Sequence, residues 1–380
     1  MFFSLMSLCR IASTLLLIGL VACSSHSRLP HPVSHQAFTP SLSTMGQHQQ
    51  PIALLLPLHG PLAKVAQSVK KGFFAAADKS ETSPHIILID TGVGTSMQAA
   101  YSEALAKKAR IIVGPLLKSQ VQNIASLQSS IPILALNYFN SDISTPSGLY
   151  QLGLSPQDEV QQVTQMAWNS GKRSAIIITV NGHWGTEIGK LFAQQWQALG
   201  GIVVDHLELS KTPSSVTQQL RHFLHFKSPH TRRMDFDVLF LVSNPQFGRQ
   251  VKPLLKFFYA GNIPVYATAS IYSGIPSQHF DTDLNQIIFC AAPWSLGNWI
   301  EPDLYQQLKL SFPLDFNRNS QYYALGVDAF HIIQQFEHLQ SSQQTLQGTT
   351  GILSFNTQRR IVRQLPCAQF HKGYAVPISQ

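Results

Sequence analysis

The chain is 380 residues long, with a formal net charge of +8, 44% hydrophobic and 12% charged residues. That apolar share fits a globular body and excludes a chain too polar to build a core, and the length allows one large domain or two lobes. Charged residues at about half the usual share, with many Gln and Ser, imply a surface wetted by neutral polar groups.

The N-terminus carries one basic residue, Arg10, then an apolar run from Ile11 to Val21 and the small residues of a cut site. This is the layout of a secretory signal, and the run is too short for a bilayer core, which needs about 20 apolar residues. Leu20-Val21-Ala22-Cys23 has the form of a lipobox and resembles the bacterial lipoprotein signal, so cleavage before Cys23 and lipid attachment there are expected. Two or more acyl chains would anchor the chain stably. The bland alternative is an ordinary signal peptide with a coincidental cysteine. The n-region is so sparse that Met6 competes with Met1 as the start. Ser24 stands where an aspartate would retain an enterobacterial lipoprotein in the inner membrane, so the expected location is the periplasmic face of the outer membrane. Export makes nucleic acid a poor partner for the positive charge and offers lipid phosphates, lipopolysaccharide and peptidoglycan carboxylates instead.

Of four cysteines, Cys9 leaves with the signal and Cys23 is the lipid site. Cys290 and Cys367 remain, either as a disulfide, which the periplasm permits, or as two buried thiols. Ser24 to Gln50 is rich in Ser, His, Gln and Pro without apolar period, and reads as a flexible tether.

The body begins at Pro51. Ile52-Ala-Leu-Leu-Leu-Pro57 is a buried strand, followed by a loop with His59 and Gly60 and a helix with Val65, Val69 and Phe73 on one face. Strands at His85–Asp90, Arg110–Gly114 and Ile131–Leu136 alternate with helices at Ser96–Lys108 and Ser119–Gln128. A second series has helices at Asp158–Asn169, around Ile188 to Leu199, at Val216–Phe226 and at Gln246–Tyr259. Its strands are Ser174–Val180, Val203–Leu209, Asp237–Val242 and Pro264–Thr268. Then come a strand at Gln286–Ala291, helices at Asp303–Leu310 and Tyr322–Leu339, and short strands with a hairpin from Gly351 to Pro377. Continuous apolar strands alternating with amphipathic helices predict an α/β fold of two doubly wound, Rossmann-like lobes. Ligands of such sheets bind beyond the carboxyl ends of the strands, which places any site in an inter-lobe cleft.

Several segments carry a resemblance. Ile52-Ala-Leu-Leu-Leu-Pro-Leu-His-Gly60, Ile111-Ile-Val-Gly-Pro-Leu-Leu-Lys118 and Pro132-Ile-Leu-Ala-Leu-Asn137 are similar to the LppC/LpoA family of penicillin-binding-protein activators. So are Gly153-Leu-Ser-Pro-Gln-Asp-Glu159, Phe192-Ala-Gln-Gln-Trp-Gln-Ala-Leu-Gly-Gly201, Tyr323-Ala-Leu-Gly-Val-Asp-Ala-Phe330 and Thr350-Gly-Ile-Leu-Ser-Phe355. The resemblance implies a type I periplasmic-binding-protein architecture, with lobe 1 at about 51–153 and 273–340 and lobe 2 at about 154–272 and 341–380. It also implies a non-enzymatic outer-membrane lipoprotein that binds and stimulates a class A penicillin-binding protein, with peptidoglycan as a further contact. Well-known members carry a large helical-repeat domain before this body, whereas here Ser24 to Gln50 precedes it, so reach across the periplasm is the expected weak point.

The sequence has no P-loop, no G-x-S-x-G elbow and no H-E-x-x-H, so no catalytic residue, cofactor or metal is assigned. Asp90-Thr-Gly-Val-Gly94 is read as a tight strand-to-helix turn. His222 and His225 share a helix face but lack a third ligand, and are read as solvated. The densest basic stretch, Arg221 to Arg233, offers Arg221, Lys227, Arg232 and Arg233 as contacts for an acidic partner. Asn137, Tyr138, Asn181, His183, Trp184, Thr268 and Ser270 lie at strand ends and are the candidate cleft lining. The alternative function is a lipid-anchored receptor for a small solute. Asn181 stands where solute-binding relatives often hold an amine with an acid, which favours a structural cleft.

Overall fold

The computed structural model describes residues 50–138, 145–210, 213–227, 231–297, 300–340 and 344–378; Cys23 and the tether up to residue 49 lie outside the described residues. Lobe 1 opens with β1 (Ile52–Leu56), α1 (Ala63–Asp78), β2 (Ile86–Asp90), α2 (Met97–Ala106), β3 (Ile111–Val113), α3 (Lys118–Ala125), β4 (Ile133–Ala135) and β5 (Leu149–Gln151). The strands form a parallel sheet in the order β2-β1-β3-β4-β5. Every side chain of β1 is buried because both faces are covered: Ile52, Leu54 and Leu56 enter one core, and Ala53 and Leu55 enter the other.

The chain then builds α4 (Pro156–Asn169), β6 (Ser174–Val180), α5 (His183–Ala198), β7 (Ile202–Leu209), α6 (Pro213–Phe223), β8 (Val238–Val242), α7 (Pro245–Phe257), β9 (Val265–Ala267) and β10 (Ile287–Cys290). It returns to lobe 1 with α8 (Pro302–Ser311), α9 (Pro313–Gln334) and a three-stranded sheet of β11 (Leu346–Gly348), β12 (Gly351–Phe355) and β13 (Ile361–Gln364). It ends on β14 (Cys367–His371) and β15 (Tyr374–Ile378), which add antiparallel to the second sheet, ordered β15-β14-β10-β9-β8-β6-β7. Ile176 and Ile178 of β6 face α6 and α7, while Ala175 and Ile177 join a core with α4 and α5.

Three sequence expectations change. β10 pairs with β9 and β14, so lobe 2 keeps the chain to about residue 291 rather than 272. Leu346, Leu353 and Ile361 pack into the lobe 1 core, so the segment from 344 to 364 belongs to lobe 1 and not lobe 2. The helix expected at Tyr322–Leu339 is broken near its end, into α9 and a short helix at Phe336–Gln340; α9 kinks at Asn319, and its stretch after the kink begins close to the expected start.

Helix α9 closes lobe 1 by lying on α1 at short range. A Cβ on Gly72 would stand 2.0 Å from the Tyr323 carbonyl oxygen, and one on Gly326 2.0 Å from that of Val69. Only glycine allows the backbones to approach so closely. Asp328, buried on the same helix, accepts the backbone N–H groups of Thr349 and Thr350 at 2.7 and 2.8 Å and both threonine hydroxyls. It thereby fixes the β11–β12 turn on α9, with every lone-pair direction used.

Candidate functional site

Three crossovers join the lobes, at about residues 152–155, 291–293 and 364–367. The first leaves the carboxyl end of β5 and the second that of β10, so the carboxyl ends of the parallel strands of both sheets face the inter-lobe cleft. Their amino ends form the outer poles. Pro51, which precedes β1, is therefore at the outer pole of lobe 1.

Most cleft candidates have internal partners. Asn137 donates from Nδ2 to the Leu116 carbonyl (2.9 Å) and accepts the Tyr138 N–H (2.9 Å), holding its own loop. The Tyr138 hydroxyl donates to the carbonyls of Gly153 (3.0 Å) and Ile361 (3.2 Å), and Arg360 covers its ring. Burial, with the nearby Asp158 charge, pushes its phenol up to about 12. Buried Thr268 and half-buried Ser270 share a hydroxyl contact of 2.7 Å, and Ser270 donates to the Ser243 carbonyl. Asn181, His183 and Trp184 follow β6 and are exposed, Trp184 at 44%. Among the described residues, no hydrogen bond joins Asn137 or Tyr138 to this second set. The Asp90–Gly94 segment is a turn, with Gly94 at φ +93° and the Asp90 carboxylate accepting the N–H of Gly92 and bonded to His59.

Around the hinge the sequence reading missed the polar contacts of Asp158, Glu159, Gln162 and Arg363, while it named Cys290 and Cys367 as a possible disulfide. Asp158, in the first turn of α4, accepts Arg363 Nε of β13 at 2.8 Å; both are buried, and Arg363 also donates to the Ser155 carbonyl. Burial pushes the Asp158 carboxyl up, although the guanidinium pulls the other way. Glu159 accepts the Ala269 N–H at 2.8 Å, and burial raises it to about 7 against the pull of Arg363. Gln162 accepts the Leu365 N–H at 2.8 Å. Cys290 and Cys367 stand directly opposite in β10 and β14, 3.9 Å apart at Cα, and are joined in a disulfide. The acids at positions 158 and 159 read in sequence only as favourable charges at a helix start; their partners come from residues more than 100 positions away.

The basic stretch lies at the outer pole of lobe 2, where α6 and α7 end. Arg221 and Lys227 are exposed. Arg232 is half-buried and donates to the carbonyls of Tyr259 (2.8 Å) and Arg233 (2.6 Å). The reading of Arg233 as a free contact is corrected: its side chain is 7% exposed and is consumed by Asp205 (2.6 Å) and Asp235 (2.9 Å). Those hydrogen bonds hold the guanidinium above its ordinary range.

Two doubly wound α/β lobes with three crossovers define a bilobed protein of the periplasmic-binding-protein class. The likeness extends to the solute-binding protein of an ABC transporter from Rhodopseudomonas palustris, in complex with p-hydroxybenzoic acid, at 13% identity and TM-score 0.58, covering 87% of this chain and 96% of that one. At that identity the match speaks for the fold alone. The sequence profile of the family described as "LppC putative lipoprotein" matches residues 37–373, and the chain belongs to this family. It is 28% identical over 324 residues to the penicillin-binding protein activator LpoA of Edwardsiella piscicida, covering 77% of this chain and 46% of that protein. Among solved structures it resembles the LpoA C-domain from Haemophilus influenzae, a regulator of PBP1A, at 27% identity and TM-score 0.70, covering 87% of this chain and all of that domain. The chain thus spans about half the length of the relative from Edwardsiella.

Proposed function

We propose that this chain is a non-enzymatic regulator that binds and stimulates a class A penicillin-binding protein, anchored by lipid on Cys23 to the periplasmic face of the outer membrane. One observation carries the reading: its body covers 100% of the Haemophilus C-domain described as a regulator of PBP1A. The lipobox at Leu20–Cys23 and membership of a lipoprotein family support the anchor. A second reading, a solute receptor, rests on nothing beyond the fold shared with solute-binding proteins. Against it stands a tie across the hinge: a receptor that closes on its ligand needs lobes free to move, and here the buried Asp158–Arg363 ion pair joins α4 of lobe 2 to β13 of lobe 1.

The test is glycan polymerisation by a purified class A penicillin-binding protein with and without the full chain in detergent. A severalfold rise, with co-purification of the two proteins, supports the regulator. An unchanged rate without co-purification refutes it, and a melting shift with a small solute would then favour the receptor.

A further inference from the structure

The outer pole of lobe 2 combines rings, a thioether and unneutralised cations on one contiguous surface. Phe257 is 67% exposed, Tyr259 48% and Met234 76%. They do not hang free. Phe226 stacks on Tyr259 with centroids 6.1 Å apart and meets Phe258 at 5.1 Å, and Phe258, fully buried, meets Phe257 at 5.2 Å. Arg232 clamps the Tyr259 carbonyl from beneath, and Arg233, Met234's neighbour, is locked between Asp205 and Asp235. The exposed rings therefore sit on a packed base and lose little freedom when covered.

The charge around them is one-sided. The nearby carboxylates are already committed: Asp205 and Asp235 to Arg233, and Asp237 to the backbone N–H groups of Arg173 and Ser174. Arg221, Lys227 and Lys256 are exposed and form no ion pair among the described residues. Exposed Tyr, Phe, Met and Arg are the residues enriched at the centres of protein interfaces, and a rim of free cations steers an acidic surface onto them. The position also matters. The segment before Pro51 joins at the outer pole of lobe 1, and this patch is on the outer pole of lobe 2, so it faces away from the attachment point.

We infer that the outer pole of lobe 2, centred on Phe257, Tyr259 and Met234 with Arg221, Lys227 and Lys256 at its rim, docks an acidic face of the class A synthase. This rests on the regulatory function proposed above and gives it a place on the molecule.

Two independent surface variants of the full chain test it against the purified synthase. One reverses the rim (Arg221→Glu, Lys227→Glu, Lys256→Glu). The other removes the rings (Phe257→Ser, Tyr259→Asn), with asparagine chosen because Tyr259 has φ +60°. The control reverses three exposed lysines of lobe 1 (Lys64→Glu, Lys79→Glu, Lys118→Glu). Each patch variant should bind at least about tenfold more weakly, the rim set through slower association with a flatter salt dependence, the ring set through faster dissociation. The control should match the parent. A parent that binds while both patch variants bind equally well overturns the inference and leaves the regulatory function standing. A parent that does not bind the synthase overturns both. Loss of binding to isolated peptidoglycan or to anionic vesicles, with synthase affinity kept, also overturns it and reassigns the patch.

Discussion

The Asp158 carboxylate receives Arg363 Nε at 2.8 Å across the hinge, from a residue 205 positions away, with both groups buried. Removing one partner strands the other charge in a dry site. Arg363→Met should lower unfolding free energy by about 3–5 kcal/mol, and Asp158→Leu added to it should restore much of that loss. Urea denaturation of the three variants reads this out. A single variant as stable as the parent would mean that water reaches the pair.

Glu159 gives the hinge a pH signature. Its carboxyl is raised from the ordinary 4.5 to about 7 by burial. The folded state therefore holds a proton that the unfolded state releases, and stability contributed by this group falls as pH rises from about 4.5 to 7. Other carboxylates act in both directions, Asp90 and Asp315 being lowered. The difference between parent and Glu159→Gln isolates the effect: their melting temperatures should diverge across that window, and parallel curves would refute it.

The disulfide closes a separation of 77 residues. Restricting so long a loop in the unfolded chain is worth about 2–4 kcal/mol. Cys290→Ala with Cys367→Ala should melt several degrees lower than the oxidised parent and be indifferent to reductant, which should lower the parent toward it. Equal melting of all forms would count against the staple as a stabiliser.

Helices α1 and α9 meet through Gly72 and Gly326, whose added Cβ atoms would collide with backbone oxygens at 2.0 Å. Gly72→Ala should cost about 1–3 kcal/mol or more by forcing the helices apart. Neutral or higher stability, measured by chemical denaturation, would show that the helices can slide.

Cys23→Ala should leave a protein that takes up no labelled palmitate and fractionates with the soluble periplasm. Membrane fractionation of that variant would argue against lipid as the main anchor.

The pattern of elements was largely legible because apolar runs flanked by polar turns mark strands covered on both faces; Ser174–Val180 has the same limits in sequence and structure. β5 was missed because Leu149-Tyr-Gln151 is too short to form a run and becomes a strand only by pairing with β4. The lobe owning β10 was not legible, since pairing with β9 and β14 decides it. At the candidate site, residue type located the strand ends but not the direction of side chains. Tyr138 and Asn137 spend their polar atoms on their own hinge and loop, and Arg233 finds acids at positions 205 and 235 that no local spacing announces.

The bond between Cys290 and Cys367 also makes a ring of the chain it spans, enclosing α8, α9 and the three-stranded sheet. A protease cut at any peptide bond between Ala291 and Pro366 leaves both fragments covalently attached. Such a nicked molecule runs as one species on a non-reducing gel and separates into two on reduction. The late half of lobe 1 is thus secured at both ends to adjacent strands of lobe 2, and a break in its backbone does not set either piece adrift.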